Sequence, residues 1–415
     1  MKAQRTSRAL LNRSQFALRQ RRPRRWPWLA AAAAPLNCAP PGLKSLPCYS
    51  PQAYQTAYGV APLLGQGIDG SGETVVLPEE AETGSDFTDI RQDLAAFDGT
   101  FGLRPAGLRV VNTLAGSATP YLANDEEVTD TEMVHAIAPG ATLEVVLIPQ
   151  SAVTDTASLA AALTQVIQTA TGLHAAVVSI SASAGEHVLT GAEAASMNAA
   201  LEQAAQQRVT VVASSGDSGA IADDGPPVQV SLPASDPLVL GVGGTMLAAA
   251  RPDGGYLGEM AWNGGDDASG GGYSTLFPRP DYQNGLPRAG VGRGVPDVSA
   301  NADSDTAMAL EYSDGEFRAA TGTSASTPLW AGVIALADQA AGRHLGFVNP
   351  ALYSIARGPA YHQAFHDVVT GDNSVISATG VFEGYTAGPG WDPVTGWGSP
   401  DAQYLVPLLA HGEER

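Results

Sequence analysis

The chain has 415 residues, 44% of them hydrophobic, enough apolar material for one large domain or two medium ones. Residues 1–44 carry 10 Lys and Arg and no Asp or Glu, whereas the remainder carries 12 basic and 42 acidic groups, a formal −30. So acidic a body argues against nucleic acid, whose phosphates it would repel, and no apolar run reaches the roughly 20 residues that a membrane span needs.

The N-terminal stretch RQRRPRRWPWLAAAAAPLNC, residues 19–38, joins a basic block to a short Ala-rich run. That order suits the n- and h-regions of a secretory signal, although Pro27 and Pro35 interrupt it. Residues 1–47 are expected to be an export segment or an unstructured leader, and 48–410 a single catalytic-size domain. Cys38 and Cys48 could close one small loop in an oxidising compartment; two thiols are too few for a disulfide framework or a Cys-built zinc site. Beyond residue 50, strands are predicted at 73–78, 141–149, 175–181, 209–216 and 237–245. Helices are predicted at 157–170, 191–207 and 325–341. Strand–helix–strand alternation implies an α/β fold with a doubly wound, mostly parallel sheet flanked by helices. The Gly-rich stretch 263–274 reads as loop, and the Gly-, Asp- and Pro-rich tail 365–402 as structured loop.

The stretch ATGTSASTPLWAG, residues 320–332, runs a small-residue turn into an apolar helix. Ser324 would stand at the helix start, where unpaired N–H groups favour a developing negative charge. A serine hydroxyl needs a base. None of the seven histidines stands in the HGT setting of a Ser/His/Asp triad. His135 is the best placed, and reads as a surface or supporting residue. GDSG at 216–219 imitates the nucleophile motif of trypsin-like proteases, but follows a buried strand in an α/β pattern, so Ser218 is a decoy.

A better base lies in NDEEVTDTEMVHAIAPG, residues 124–140. Asn124 or Asp125 would cap a helix ending near Ala138-Pro139-Gly140. Glu126 and Asp130 then fall at i and i+4 on one face. Two carboxyls so close share a proton, and one can accept the serine proton while the other orients it. The competing interpretation is a solvated acidic face.

Taken together the motifs resemble the sedolisin family of serine-carboxyl peptidases, over roughly residues 48–405. The resemblance runs in order through SPQAYQTAYGV, EEVTDTEMVHAIAPG, VVASSGDSG, LPASDPLVLGVGGT, GGGYSTLFPRPDYQ, RGVPDVSANAD, ATGTSASTP, FHDVV and AGPGWDPVTGWGSP. It implies a subtilisin-like fold with Ser324 as nucleophile, Glu126 as general base and Asp130 as its supporting carboxyl. Asp217 in SSGDSG would be the oxyanion-hole acid, and Glu79, with Glu80 adjacent, would extend the hydrogen-bond chain. The tail would form a Ca²⁺ site from the carboxylates of Asp367 and Asp392 and the carbonyls of Val368, Gly388 and Gly390. Oxygen-only ligation suits that hard cation.

The implied activity is a secreted, extracellular endopeptidase acting on peptide or protein substrates in acid. Glu126 must be ionised while Asp217 keeps a proton, and free carboxyls titrate near 4, giving an expected optimum of about pH 3–5. The alternatives are a tripeptidyl aminopeptidase of the same family, a non-catalytic binding module on this fold, and a subtilisin-like enzyme using His135. Two departures stand out. Only about 47 residues precede the catalytic region, so the family's prodomain is expected to be a separate partner, to be lost to a misplaced start, or to be dispensed with in folding, and the chain is expected to be a monomer. Ala182 in SISAS stands where the family often has an aromatic residue.

Overall fold

The computed structural model describes residues 36–38 and 47–412, apart from 83–86, 113, 115–120, 154–155, 224, 250–252 and 287–289. Most of the expected leader, including its basic block, therefore lies outside the described residues. The part that is described is tied to the body. Strand β1 (Leu36–Asn37) pairs antiparallel with β2 (Pro47–Cys48), and Cys38 is disulfide-bonded to Cys48.

From there the chain runs through α1 (Pro51–Ala57), β3 (Thr74–Glu80), α2 (Ile90–Phe101), β4 (Gly107–Val111), α3 (Asp125–Ile137) and β5 (Thr142–Ile148). Helix α4 (Thr156–Gly172), β6 (Val177–Ile180), α5 (Gly191–Gln206), β7 (Thr210–Ser214), β8 (Leu240–Ala249) and β9 (Tyr256–Ala261) follow. Then come β10 (Val298–Asn301), β11 (Ala309–Glu311), β12 (Phe317–Ala319), α6 (Thr323–Ala341), α7 (Asn349–Ala356) and α8 (Ala402–His411). The central sheet is ordered β9-β8-β7-β6-β3-β5-β4, with β10 also paired to β8. Every pair is parallel except β8–β9, so the sheet is the doubly wound, mostly parallel one expected from the sequence.

Its strands are apolar on both faces because helices cover both. Successive side chains alternate: Val75 and Leu77 of β3 join the core beneath α3 and α6, whereas Val76 joins the one beneath α4 and α5. The two helices that matter most here pack very closely. A Cβ at Gly332 of α6 would lie 2.8 Å from the Cβ of Ile137 in α3, so only glycine permits this approach. Helix α6 starts two residues before the predicted bound, which places Ser324 inside its first turn. The tail is not pure loop: Phe365–His366 pairs with Ser399–Pro400, and Val375–Ser377 with Gly380–Phe382.

Candidate active site

Ser324 is the second residue of α6. Gly322 caps the helix with φ +77°, the left-handed region that favours glycine. Four residues beyond Ser324 stands Pro328, which has no N–H to give to the Ser324 carbonyl. That carbonyl instead faces Ser181 Oγ at 3.5 Å, while Ser324 Oγ faces the Ser181 carbonyl at 3.5 Å. Both contacts are long, so the hydroxyl is only weakly held.

The carboxyls come from α3. Asn124 caps it, its Oδ1 accepting from the backbone N–H groups of Glu126 at 2.8 Å and Glu127 at 3.3 Å. Glu126 is half-buried, and its Oε1 is buried without a hydrogen-bond partner among the described residues. Its carboxyl approaches Ser324 without closing a bond of ordinary geometry. Burial pushes it up to about 7, the Ser324 hydroxyl draws it down, and Asp217 and Asp125 raise it again. One turn on, Asp130 is fully buried and accepts from Ser181 Oγ at 2.8 and 3.0 Å. Burial, then the neighbouring Glu126, hold it well above the ordinary carboxyl range. Glu79, buried near the end of β3, lies beside Asp130, and burial followed by that neighbouring carboxyl holds it well above the ordinary carboxyl range. For Glu80, the residue that the sequence left as an alternative, burial and then Glu82 raise the carboxyl, and Gln150 opposes them.

Asp217 follows β7. Its Oδ1 accepts from the Thr323 backbone N–H at 2.7 Å and from Thr323 Oγ1 at 2.6 Å. Burial raises its carboxyl, against the pull of those two bonds. Its own N–H donates to Asp223 Oδ1 at 3.2 Å, and Asp223 Oδ2 accepts from Ser183 Oγ at 2.7 Å. A Cβ at position 322 would lie 2.4 Å from Asp217 Oδ2. The arrangement is a hydroxyl at a helix start, one carboxyl beside it, and a second buried carboxyl held at the same helix start by Thr323. Acyl transfer needs those three parts.

Residues 107–351 match the subtilase family. A sedolisin from Pseudomonas sp. (strain 101) is 38% identical over 215 residues, 49% of this chain and 35% of that one. The solved structure of Pseudomonas sedolisin, a serine-carboxyl proteinase complexed with two molecules of pseudo-iodotyrostatin, superposes with a TM-score of 0.73. It is 27% identical, over 88% of this chain and 98% of that one. A kumamolisin from Bacillus sp. (strain MN-32) is 35% identical over 413 residues, 96% of this chain and 68% of that one. This chain belongs to the sedolisin family. It is a subtilisin-like serine-type peptidase. Tripeptidyl-peptidase 1 from Homo sapiens is a further relative, 33% identical over 54% of this chain. The chain spans about two thirds of the Bacillus kumamolisin, but only 35% of the Pseudomonas sedolisin sequence and 41% of the human peptidase.

Within this sedolisin-family chain, Ser324, Glu126, Asp130 and Asp217 lie close together. His135 does not join them and is not on the surface. It is fully buried, with Nε2 at 2.7 Å from Asp98 Oδ1 and 3.0 Å from the Arg104 carbonyl. Ser218 pairs through its backbone with Ala268. Sequence reading missed Ser181 and Thr323, whose hydroxyls hold Asp130 and Asp217. Nothing in a window around either acid points to them. The tie between Asn124 and Glu127 was legible as an N-x-x-E capping box.

Among the described residues no three His, Cys, Asp or Glu side chains cluster to hold a metal. The tail nevertheless supplies an oxygen set. Asp367 accepts from the Gly390 N–H at 3.1 Å. Asp392, buried, accepts from the N–H groups of Gly388, Val394 and Thr395 at 2.9–3.0 Å. The Val368 carbonyl meets Thr395 Oγ1 at 3.3 Å. Burial pushes Asp392 up to about 6, and no ion pair among the described residues compensates either carboxylate. The donor type, carboxylate and carbonyl oxygen from the segments around Asp367 and Asp392, is the one that Ca²⁺ takes.

Proposed function

We propose that this sedolisin-family chain is a secreted serine-carboxyl endopeptidase. Ser324 attacks the peptide carbonyl as Glu126 accepts its proton, and protonated Glu126 returns that proton to the leaving amine. Asp130, with Glu79 behind it, orients Glu126. Asp217 in its protonated form donates to the oxyanion; an ionised Asp217 would repel it. Water then hydrolyses the acyl-enzyme. Asp367 and Asp392, with the carbonyls of Val368, Gly388 and Gly390, would hold a Ca²⁺ that pins the tail loops together. The basic and Ala-rich leader and the Cys38–Cys48 disulfide support export to an oxidising compartment.

One observation carries the reading: the hydroxyl of Ser324 has the Glu126 carboxyl as its neighbour rather than an imidazole. The pH dependence follows. Activity rises as Glu126 ionises and falls as Asp217 loses its proton. Burial displaces the rising limb above the pH 3–5 implied by free carboxyls, to between 4.5 and about 7. The test is cleavage of a denatured protein from pH 2 to 9 by the chain, Ser324→Ala and Glu126→Gln. Both variants should be inactive. A rising limb that survives in Glu126→Gln would refute the base assignment. An N-terminally blocked peptide separates endopeptidase cleavage from release of tripeptides.

A further inference from the structure

One buried acid beside the site has no part in that chemistry. Glu82 lies two residues beyond β3 and is 4% exposed. Its Oε1 accepts a hydrogen bond from Asn124 Nδ2 at 2.5 Å, and its Oε2 is buried without a partner among the described residues. A buried carboxyl oxygen left unpaired costs free energy, so its presence next to the site calls for a reason.

The reason lies in what Asn124 does. Its Oδ1 already serves the N–H groups of Glu126 and Glu127. Its own N–H donates to Glu127 Oε2 at 2.6 Å. The side-chain amide therefore has one orientation, with its NH₂ group towards Glu82. Serine or threonine would cap a helix comparably well; what asparagine adds is that NH₂ group, and Glu82 takes it. The chain just beyond β3 is thus tied to the start of α3 by Glu82 on Asn124, two residues before Glu126. A small rotation of the first turn of α3 would swing the Glu126 carboxyl away from Ser324.

We propose that Glu82 is a positioning residue: through Asn124 it fixes the start of α3 and so aims the Glu126 carboxyl at Ser324. This rests on Glu126 being the general base. The groups that face Glu82 are acidic, Glu80 from the end of β3 and Glu127 from α3, with Glu79, Glu126 and Asp130 beyond them. No Lys, Arg or His pairs with it among the described residues.

The test uses the full chain with Glu82→Gln, Glu82→Leu, Asn124→Ser and the Glu82→Leu/Asn124→Ser double variant. Glutamine keeps an acceptor for Asn124; leucine removes it at similar volume; serine keeps the cap but loses the NH₂ group. Steady-state kinetics across pH are read with thermal unfolding. Glu82→Leu and Asn124→Ser should each lower kcat about ten- to a hundredfold, as a misaimed reacting group does. KM should stay within about twofold, Glu82→Gln should recover most of the rate, and the double variant should be no worse than either single one. If Glu82→Leu does not fold, Asn124→Ser and Glu82→Gln decide alone. Wild-type kcat in the folded variants, a change confined to KM, or additive losses would each overturn the proposal. Glu126→Gln runs alongside. Activity there sinks the base assignment itself, whereas an inactive Glu126→Gln beside unaffected Glu82 variants sinks only the positioning role.

Discussion

Asp338, far from the chemistry on α6, offers a quantitative test of how this fold treats its carboxyls. It is fully buried. Its Oδ1 accepts from the Leu345 N–H at 2.7 Å, and its Oδ2 has no partner among the described residues. Burial pushes it from 3.8 up to about 8; the Leu345 bond and Arg343 oppose this, and Glu73 adds to it. The folded protein therefore keeps this proton where the unfolded chain has released it. Stability from this group is complete below about pH 4 and falls as pH rises towards 8. Each unit in that window costs about 1.4 kcal/mol, so pH 4 to 7 costs about 4 kcal/mol. That is a large part of a typical total of about 5–15 kcal/mol. Asn at 338 mimics the protonated acid and keeps an acceptor for Leu345. Asp338→Asn should match the wild type at pH 4 to within about 1 kcal/mol and exceed it by several at pH 7. Urea unfolding at both pH values measures this. A difference between the two proteins that is the same at pH 4 and 7 would refute the reasoning.

Other perturbations bear on the site. Asp217→Ala should lower kcat by about 10²–10³, the cost of one oxyanion donor. Asp217→Asn, which donates without needing a proton, should extend the falling limb to higher pH; an unmoved limb assigns it to another group. Gly322→Ala places a Cβ 2.4 Å from Asp217 Oδ2 at φ +77°. It should cost about 1–2 kcal/mol in backbone strain alone and lower kcat through displaced Asp217, read by unfolding and kinetics together. Chelation should lower the Tm of the wild type but not that of Asp392→Ala. Equal shifts in both would remove the tail from the account.

The strands were legible because the buried ones are short apolar runs, as in TVVLP and TLEVVLI. Strand β4, GLRVV, was not. It is the sheet edge, its side chains are partly exposed throughout, and it carries only three apolar residues. The i, i+4 placement of Glu126 and Asp130 was readable from spacing, because it is a local property of a helix. The environment of that helix was not. A sequence with Asp125, Glu126, Glu127, Asp130, Glu132 and His135 reads as a solvated face, yet α3 is buried from Glu127 to Ile137. The compensating partners come from far along the chain: Ser181 for Asp130, Asp98 for His135, and the Glu311 N–H for Glu132. Periodicity carries no information about such contacts.

That buried acidic helix links stability to chemistry. Glu132 accepts from the Glu311 N–H at 2.9 Å, but its Oε1, Asp93 Oδ2 and Glu311 Oε2 are all buried without partners among the described residues. Burial, and then Asp93, Glu311 and Asp98, hold Glu132 well above the ordinary carboxyl range. Burial and neighbouring carboxyls raise Glu79 and Asp130 as well. By the argument used for Asp338, each such group adds stability that is complete below about pH 4 and is lost as pH rises. The fold should therefore weaken towards neutral pH independently of catalysis. Self-digestion would produce a similar loss of activity, and Ser324→Ala separates the two causes. If the buried carboxyls are responsible, that inactive variant will show the same decline in unfolding free energy from pH 4 to 7 as the wild type. A Ser324→Ala protein whose stability is flat over that range would place the neutral-pH loss in autolysis and leave the buried acids as spectators.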